Sequence, residues 1–237
     1  MKTISFKNVE IACAVIHSFA DPPRREGLEN NFNKFGFGDL SEALVQHSAE
    51  PDLGHLGALK SHLSVASNYL AYSKAPFLLV LEDDFRWSID RLNFASYLAE
   101  LISLQRNLGW NVWQLDVLYD VGVRTGVRLA DGTEVLRFLR VRGLAAYLCR
   151  REFVDELIAK WSLGVFLMES NRRILKLLAK KAREGSREAR RRYNWLIDRA
   201  AVDNVIGDLQ MAGHYIGLTL QVGAQDRSYP SSIALGG

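Results

Sequence analysis

The sequence predicts an α/β fold with a mixed, mostly parallel central sheet that is flanked by helices. Predicted strands and helices alternate as βαβαβ through the first half of the chain, the order that builds such sheets. The apolar run "FLLVL" at residues 77–81 is uninterrupted, as in a central strand buried on both faces. At 237 residues, 48% hydrophobic and 24% charged, the chain resembles one globular unit in length and composition. We therefore expect a single domain over residues 1–237.

The elements of the first half follow from apolar spacing and from proline. Residues 9–18 are mostly apolar and predict a buried strand. The Pro-Pro pair at 22–23 suits the first turn of a helix, which we expect to run through Phe32. From Gly57 onward, apolar residues recur with helical spacing, and Pro76 then opens the strand that contains the "FLLVL" run.

The second half mixes helical and strand periods less regularly. Helical spacing over residues 90–107 is followed by alternation over Trp110–Tyr119, which predicts a strand. A turn at Asp131–Gly132 leads into another strand, and residues 143–161 change from a strand or loop into a helix. This pattern predicts antiparallel strands in the C-terminal half of the sheet.

Charge and cysteine content exclude several classes of protein. A formal net charge of +3 is too small to indicate nucleic-acid binding. Cys13 and Cys149 form neither a disulfide framework nor a metal-ligand spacing, so we expect two small buried residues in a reducing compartment. The N-terminus lacks a signal-peptide pattern, and no window has the roughly 18 uncharged apolar residues of a membrane span. We expect a cytoplasmic protein.

A strongly basic helical stretch covers residues 172–199, in what we interpret as an insertion over about residues 165–197. Apolar residues such as Ile174 and Leu177 lie on one face of it, with lysines and arginines around them. Such a stretch is most often a solvated surface. It also suits peripheral contact with an anionic membrane, here the inner membrane face, or with an anionic substrate. Nucleic acid is disfavoured because aromatic residues do not alternate with the basic ones.

Three consecutive carboxylates, Glu82, Asp83 and Asp84, follow the "FLLVL" run directly. Carboxylates held together at the end of a buried strand repel one another, and a hard divalent cation such as Mn²⁺ or Mg²⁺ would offset that repulsion. In open α/β sheets, ligands bind beyond the carboxyl ends of the strands, where this cluster falls. The alternative interpretation is an ordinary strand end whose acidic residues face solvent.

A second motif, "GHLGALKSH", precedes the cluster by one predicted helix. Gly54 and Gly57 would allow close approach of the backbone, and Ser61 and His62 would lie in the first turns of the helix. Backbone N–H groups at such a helix start can contact a phosphate or sugar oxygen. A structural role remains the alternative for His62.

The pair "GHLGALKSH" and "FLLVLEDDF" resembles glycosyltransferase family 25, in which a Gly-x-x-Gly-Cys-x-x-Ser-His block precedes a strand ending in Glu-Asp-Asp. The matching positions are Gly54, Gly57, Ser61, His62, Glu82, Asp83 and Asp84. The family includes bacterial lipooligosaccharide galactosyltransferases and collagen galactosyltransferases. The resemblance implies a GT-A fold, a UDP-sugar donor (galactose or glucose), Mn²⁺ or Mg²⁺, and inverting transfer to a hydroxyl of a surface glycan such as lipooligosaccharide.

The resemblance also implies roles for the carboxylates. We expect Asp84 to bind the metal directly and Glu82 to contact the nucleotide ribose or a metal-bound water, so that both belong to the metal site. Asp83 would orient one of them. Asp203, in the similar segment "AVDNVI", is the candidate general base that takes the proton from the acceptor hydroxyl.

Donor contacts are implied for the first motif and for the opening turn. Gly57, Ser61 and His62 would face the nucleotide sugar. Arg24 or Arg25, in "AVIHSFADPPRRE", matches the arginine of the family's opening turn.

The chain also departs from the family pattern. Ala58 replaces the cysteine, His17 stands where the first strand usually has Asn, and Ser232 replaces the closing Asp. Two other functions therefore stay open. Clustered carboxylates also serve metal-dependent phosphohydrolases, and the departures suit a non-catalytic module that binds a sugar nucleotide.

Overall fold

The computed structural model describes residues 1–6, 8–17, 22–46, 50, 53–116, 119–142 and 145–225, with the backbone alone described for 22–24, 119–121 and 142. The strands are β1 (Lys2–Phe6), β2 (Val9–His17), β3 (Leu44–Gln46), β4 (Phe77–Glu82), β5 (Phe85–Trp87), β6 (Val112–Gln114), β7 (Tyr119–Arg128), β8 (Glu134–Arg142), β9 (Ala146–Arg150), β10 (Tyr215–Leu218) and β11 (Gly223–Gln225). The helices are α1 (Pro22–Lys34), α2 (Gly54–Tyr72), α3 (Arg91–Ser103), α4 (Gln105–Leu108), α5 (Val154–Ser170), α6 (Arg172–Arg183), α7 (Arg187–Ala200) and α8 (Gly207–Met211). Short 3₁₀ turns lie at Leu40–Glu42 and Arg151–Phe153.

The central sheet is mixed, with the order β1-β2-β4-β9-β6-β10-β8-β7 and with β3 beside the second half of β2. The pairs β2–β3, β2–β4 and β6–β10 are parallel, and the remaining pairs are antiparallel. The expectation of a mostly parallel sheet is therefore wrong. The sheet is mostly antiparallel because β9 runs antiparallel between β4 and β6 and because β1–β2 and β7–β8 form hairpins.

The two faces of the sheet are covered by different helices. On one face, Ala14 and Val80 belong to a core that includes residues of α2, α5, α6 and α7. On the other face, Val15 and Leu79 belong to a core with residues of α1 and α3. Alternate residues of β2 and β4 thus enter both cores, which explains why these strands are continuously apolar.

Most predicted elements of the first half are confirmed, with shifted ends. Strand β2 and helix α3 lie where the apolar spacing predicts them, and α1 begins at the Pro-Pro pair as predicted and ends at Lys34, two residues after Phe32. Helix α2 begins at Gly54, three residues before the predicted Gly57. The strand expected over Trp110–Tyr119 is wrong in extent, because β6 covers only Val112–Gln114 and Tyr119 begins β7. Residues on both sides of that break alternate, so periodicity alone does not reveal it.

Both cysteines are free and buried, as expected. Burial raises the pKa of the Cys13 thiol to about 12 and raises the pKa of Cys149 above its ordinary range. Both thiols therefore remain protonated and act as small core residues.

The basic stretch packs on the core rather than standing apart from it. Leu175 and Ala179 of α6 and Tyr193 and Ile197 of α7 belong to the core that contains Val80. The α6–α7 turn contains Gly185, whose φ of +97° is readily adopted by glycine. Within the described residues, no helix combines the length and the apolar character needed to cross a membrane.

At Gly164, helix α5 packs closely against α2 and α7. A side chain at this position should therefore lower the stability of the fold. A Cβ at Gly164 in α5 would lie 2.7 Å from Leu59 Cδ2 of α2 and 2.9 Å from the carbonyl oxygen of Ala200 in α7. We expect Gly164→Ala to lower the free energy of unfolding by about 1–3 kcal/mol in urea denaturation, although alanine favours helices.

The matched control is Gly207→Ala, since a Cβ at Gly207 has no neighbour within 4 Å. We expect this variant to unfold within about 0.5 kcal/mol of the unsubstituted chain. An increase in stability on Gly164→Ala would contradict the close packing of these helices.

Candidate functional site

The predicted carboxylates lie at one edge of the sheet, where several strands begin or end. Strands β2 and β4 are parallel, with Ile16 opposite Glu82, so both end at this edge. Strand β9 runs the other way and begins there, and the Ala145 carbonyl accepts a hydrogen bond of 2.7 Å from the Glu82 N–H. Strand β6 also ends at this edge, followed by Asp116, which is 1% exposed. Two strand spacings, about 10 Å, separate β4 from β6.

Glu82 is held by a buried chain of hydrogen bonds. Its Oε1 lies 3.1 Å from Nε2 of His62, and Nδ1 of His62 lies 3.1 Å from the hydroxyl of Tyr147. The ring of Trp161 packs against His62 with centroids 5.5 Å apart. His62 is 0% exposed, so its orientation is fixed by these three neighbours.

The donors and acceptors of these hydrogen bonds follow from Tyr147. Burial raises the pKa of Tyr147 well above its ordinary range, so the hydroxyl keeps its proton and donates to Nδ1 of His62. Nδ1 then acts as an acceptor, and Nε2–H of His62 donates to the Glu82 carboxylate, which fixes the direction of that side chain.

Asp83 and Asp84 occupy the turn between β4 and β5, and each has a different partner. Oδ2 of Asp83 lies 2.9 Å from Nδ1 of His17, the last residue of β2. Nε2 of Gln225 donates to Oδ2 of Asp84 at 2.7 Å. Gln225 is positioned by the pairing of β11 with β5. The hydrogen-bond partners of the three consecutive carboxylates thus come from three different elements, α2, β2 and β11.

The donor chemistry of this cluster fits a hard divalent cation. Within the described residues, no group of three or more His, Cys, Asp and Glu side chains is arranged to hold a metal ion. A Mg²⁺ or Mn²⁺ ion at a nucleotide site needs only one or two carboxylates, because phosphates supply further oxygen ligands. The assignment of Asp84 and Glu82 as metal ligands stays a prediction.

The other residues of the first motif lie inside α2. The Ser61 hydroxyl donates to the Gly57 carbonyl at 2.8 Å, a bond within one turn of the helix, and Ser61 is buried. Because α2 begins at Gly54, Ser61 and His62 lie two turns into the helix and not at its start. His62 meets the carboxylates, whereas donor contacts by Gly57 and Ser61 stay predictions.

Of the two predicted arginines, only Arg25 has a described side chain. Arg25 is exposed on α1, where its Nε lies 2.9 Å from Oε1 of Glu29, one turn along the same helix. The side chain of Arg24 falls outside the described part of the structure. A role for either residue toward the donor stays a prediction.

Asp203, the candidate base, lies beside the start of α2. Burial has the larger effect on the pKa of His55 and lowers it, while the charges of Asp203 and Asp198 act in the opposite direction. His55 precedes His62 by seven residues, about 10 Å along the helix. Asp203 is therefore near the first turn of α2, and its role as the base stays a prediction.

Sequence reasoning assigned no role to two buried residues of this region. Tyr147 of β9 lies opposite Val80 of β4 on one side and opposite Gln114 of β6 on the other. The three side chains therefore share one face of the sheet. Nε2 of Gln114 donates to the carbonyl of Asp116 at 2.9 Å. In the sequence, Tyr147 interrupts the apolar run "LAAYLC", and Gln114 and Asp116 interrupt "WQLD". Such interruptions could have indicated buried polar contacts.

Comparisons with known proteins add no relative at this point. No protein-family model matches the chain, and no curated protein is significantly similar to it. The likeness to glycosyltransferase family 25 consequently depends on the two sequence motifs alone.

The hydrogen bond between His62 and Tyr147 can be tested by a double-mutant cycle. His62→Phe leaves Glu82 and Tyr147 without their partner, and we expect it to cost about 1–3 kcal/mol of unfolding free energy. After His62→Phe, the further change Tyr147→Phe should cost at least about 0.5 kcal/mol less than it does alone. Urea denaturation of the four proteins measures this coupling.

Tyr215→Phe is the matched control, because this buried tyrosine lies on β10, two strands from β9. Its effect should add to that of His62→Phe within about 0.5 kcal/mol. Equal coupling for both tyrosines would contradict the proposed chain of hydrogen bonds.

Proposed function

We propose that this chain is a metal-dependent glycosyltransferase that moves a hexose from a UDP-sugar, with inversion, to a hydroxyl of a bacterial surface glycan such as lipooligosaccharide. The observation that carries the proposal is the cluster of Glu82, Asp83 and Asp84 at the carboxyl edge of the sheet, with each side chain fixed by a separate partner. Ligands of open α/β sheets bind beyond this edge.

The energetics of the cluster favour a binding role over an ordinary strand end. Asp83 and Asp84 are 6% and 7% exposed, and burying carboxylates is costly unless they are paired or bind a metal. His62 and Gln225 donate hydrogen bonds to Glu82 and Asp84, and these bonds fix the directions of the two carboxylates. Carboxylates held in fixed directions at one edge of the sheet suit a divalent cation.

In the proposed mechanism, Asp84 and Glu82 hold Mn²⁺ or Mg²⁺, which when bound neutralises charge on the departing diphosphate. Asp83, directed by His17, orients its neighbours, and His62 keeps Glu82 in one position. A bond forms between the acceptor oxygen and the anomeric carbon while the bond to UDP breaks. Asp203 takes the proton of the acceptor hydroxyl as general base.

The GT-A fold is part of this proposal. Its support is the parallel β2–β4 pair with the acidic cluster at its carboxyl end, and the mixed sheet with helices on both faces. The predicted GT-A contacts of Gly57, Ser61, Arg24 and Arg25 with the donor belong to the same proposal.

The test begins with thermal unfolding in the presence of UDP, UDP-galactose and UDP-glucose, each with Mn²⁺ or with EDTA. We expect stabilisation only when Mn²⁺ and nucleotide are both present, about 2.7 kcal/mol at a ligand concentration of 100 Kd. Asp84→Asn should remove the Mn²⁺-dependent part and lower UDP release from UDP-sugar at least tenfold, because one charged ligand is lost.

The matched control is Glu10→Gln, which removes one exposed carboxylate near the opposite end of β2 and should leave both readouts unchanged. Unaltered turnover in Asp84→Asn would overturn the assignment. Mn²⁺-dependent binding without sugar transfer would instead indicate a non-catalytic module. Phosphate release without sugar transfer would indicate a phosphohydrolase.

A further inference from the structure

The charge of this chain is divided unevenly between the α6–α7 hairpin and the rest of the molecule. Residues 172–200 contain 11 of the 30 Lys and Arg residues but only 3 of the 27 Asp and Glu residues. The hairpin therefore has a formal charge of +8, and the remainder has a charge of −5. An even distribution would not produce a basic surface on a chain whose net charge is +3.

Arg172 is not part of the outward-facing charge, contrary to its place in the predicted basic surface. Its guanidinium lies 2.5 Å from Glu50 and 3.0 Å from Glu169. Lys60 of α2 contacts the same two carboxylates at 2.5 and 2.6 Å. This network of four charges fixes the start of α6 against α2.

The exposed charges lie further along α6. Arg173, Lys176, Lys180 and Lys181 are all exposed, whereas Leu175, Ala179 and Ala182 turn toward the core. Among the described residues, Arg173, Lys176 and Lys181 form no ion pair. Lys180 forms a long one, with 3.9 Å between its Nζ and Oε1 of Glu184. The outer face of α6 thus presents cations to whatever approaches it.

Large apolar side chains are exposed among these cations. Ile174 and Leu177 of α6 are 54% and 53% exposed, and Phe166 at the end of α5 is 65% exposed. Ile174 and Leu177 are three residues apart and share a face of the helix. Neighbouring exposed apolar side chains that are surrounded by charged ones are typical of a surface that contacts a protein or a membrane.

Trp195 of α7 adds an amphipathic aromatic side chain to the same helical layer. It is 55% exposed, and the guanidinium of Arg199 lies 3.9 Å from the centroid of its ring. Beside it is a cleft of about 230 Å³ between α5, α6 and α7. The lining residues include Leu167, Leu175 and Leu196.

We propose that α6 and α7 form a docking surface for an anionic lipid membrane. The cations of α6 would meet lipid phosphates, while Ile174, Leu177 and Trp195 would enter the boundary between headgroups and acyl chains. Exposed aliphatic side chains favour a lipid surface over nucleic acid, which offers the same phosphates but no apolar layer. The inference needs neither the metal nor the sugar nucleotide of the proposed function.

Sedimentation with vesicles tests the proposal on the full chain, without nucleotide or metal. The chain should bind vesicles containing 30% phosphatidylglycerol and should not bind pure phosphatidylcholine vesicles. Replacing Arg173, Lys176, Lys180 and Lys181 by glutamine should weaken binding at least tenfold, because each basic residue contributes attraction to the anionic surface.

The matched control replaces four exposed basic residues elsewhere and changes the net charge equally. These are Lys74, Arg106, Arg128 and Arg140. The control variant should bind within about twofold of the unsubstituted chain. An equal loss in both variants, or equal binding to neutral vesicles, would overturn the proposal. Retention on non-specific RNA without vesicle binding would also overturn it.

Tryptophan fluorescence gives a second readout that does not depend on charge variants. Trp110, Trp113 and Trp161 are fully buried and Trp87 is partly buried, so Trp195 is the indole that solvent reaches most. Anionic vesicles should shift the emission to shorter wavelength and protect it from acrylamide. Trp195→Phe should abolish the shift while sedimentation persists. A shift that persists in Trp195→Phe would overturn insertion at this residue.

Discussion

Strand β4 is enclosed on both faces and along both edges, and this constraint determines where the chemistry of the molecule can lie. From Phe77 to Leu81 its side chains enter the two cores in alternation, and β2 and β9 take its backbone hydrogen bonds. No polar side chain can be accommodated along that length without a partner. The first carboxylates consequently occur where β4 leaves the sheet.

The enclosure of β4 also explains how much of the site could be predicted. A continuous apolar run followed by Glu82, Asp83 and Asp84 indicates a buried strand and its polar end, and both inferences need only neighbouring residues. His17 and Gln225, which contact Asp83 and Asp84, and Tyr147, which contacts His62, come from other strands. Their positions depend on strand order and direction, which local spacing does not encode.

Two predictions that differ from the structure also depend on contacts between residues distant in sequence. An apolar run is equally compatible with parallel and antiparallel neighbours, so the insertion of β9 between β4 and β6 reversed the expected balance of the sheet. Arg172 looked like part of a basic surface because its sequence neighbours are basic. Its two carboxylate partners, Glu50 and Glu169, come from other elements. Local sequence features predicted three helices well: the Pro-Pro pair predicted the start of α1, and helical spacing predicted α3 and α6.

The contacts of the carboxylate cluster have a consequence for the order in which the molecule matures during synthesis. Asp83 is bound by a residue 66 positions away, and Asp84 by one 141 positions away, near the end of the described chain. Contacts between residues so distant in sequence form late, because the intervening chain must be ordered first. A nascent chain on the ribosome would hold Glu82, Asp83 and Asp84 long before Gln225 is made. The cluster would thus reach its final geometry only after the segment that contains Gln225 has left the ribosome.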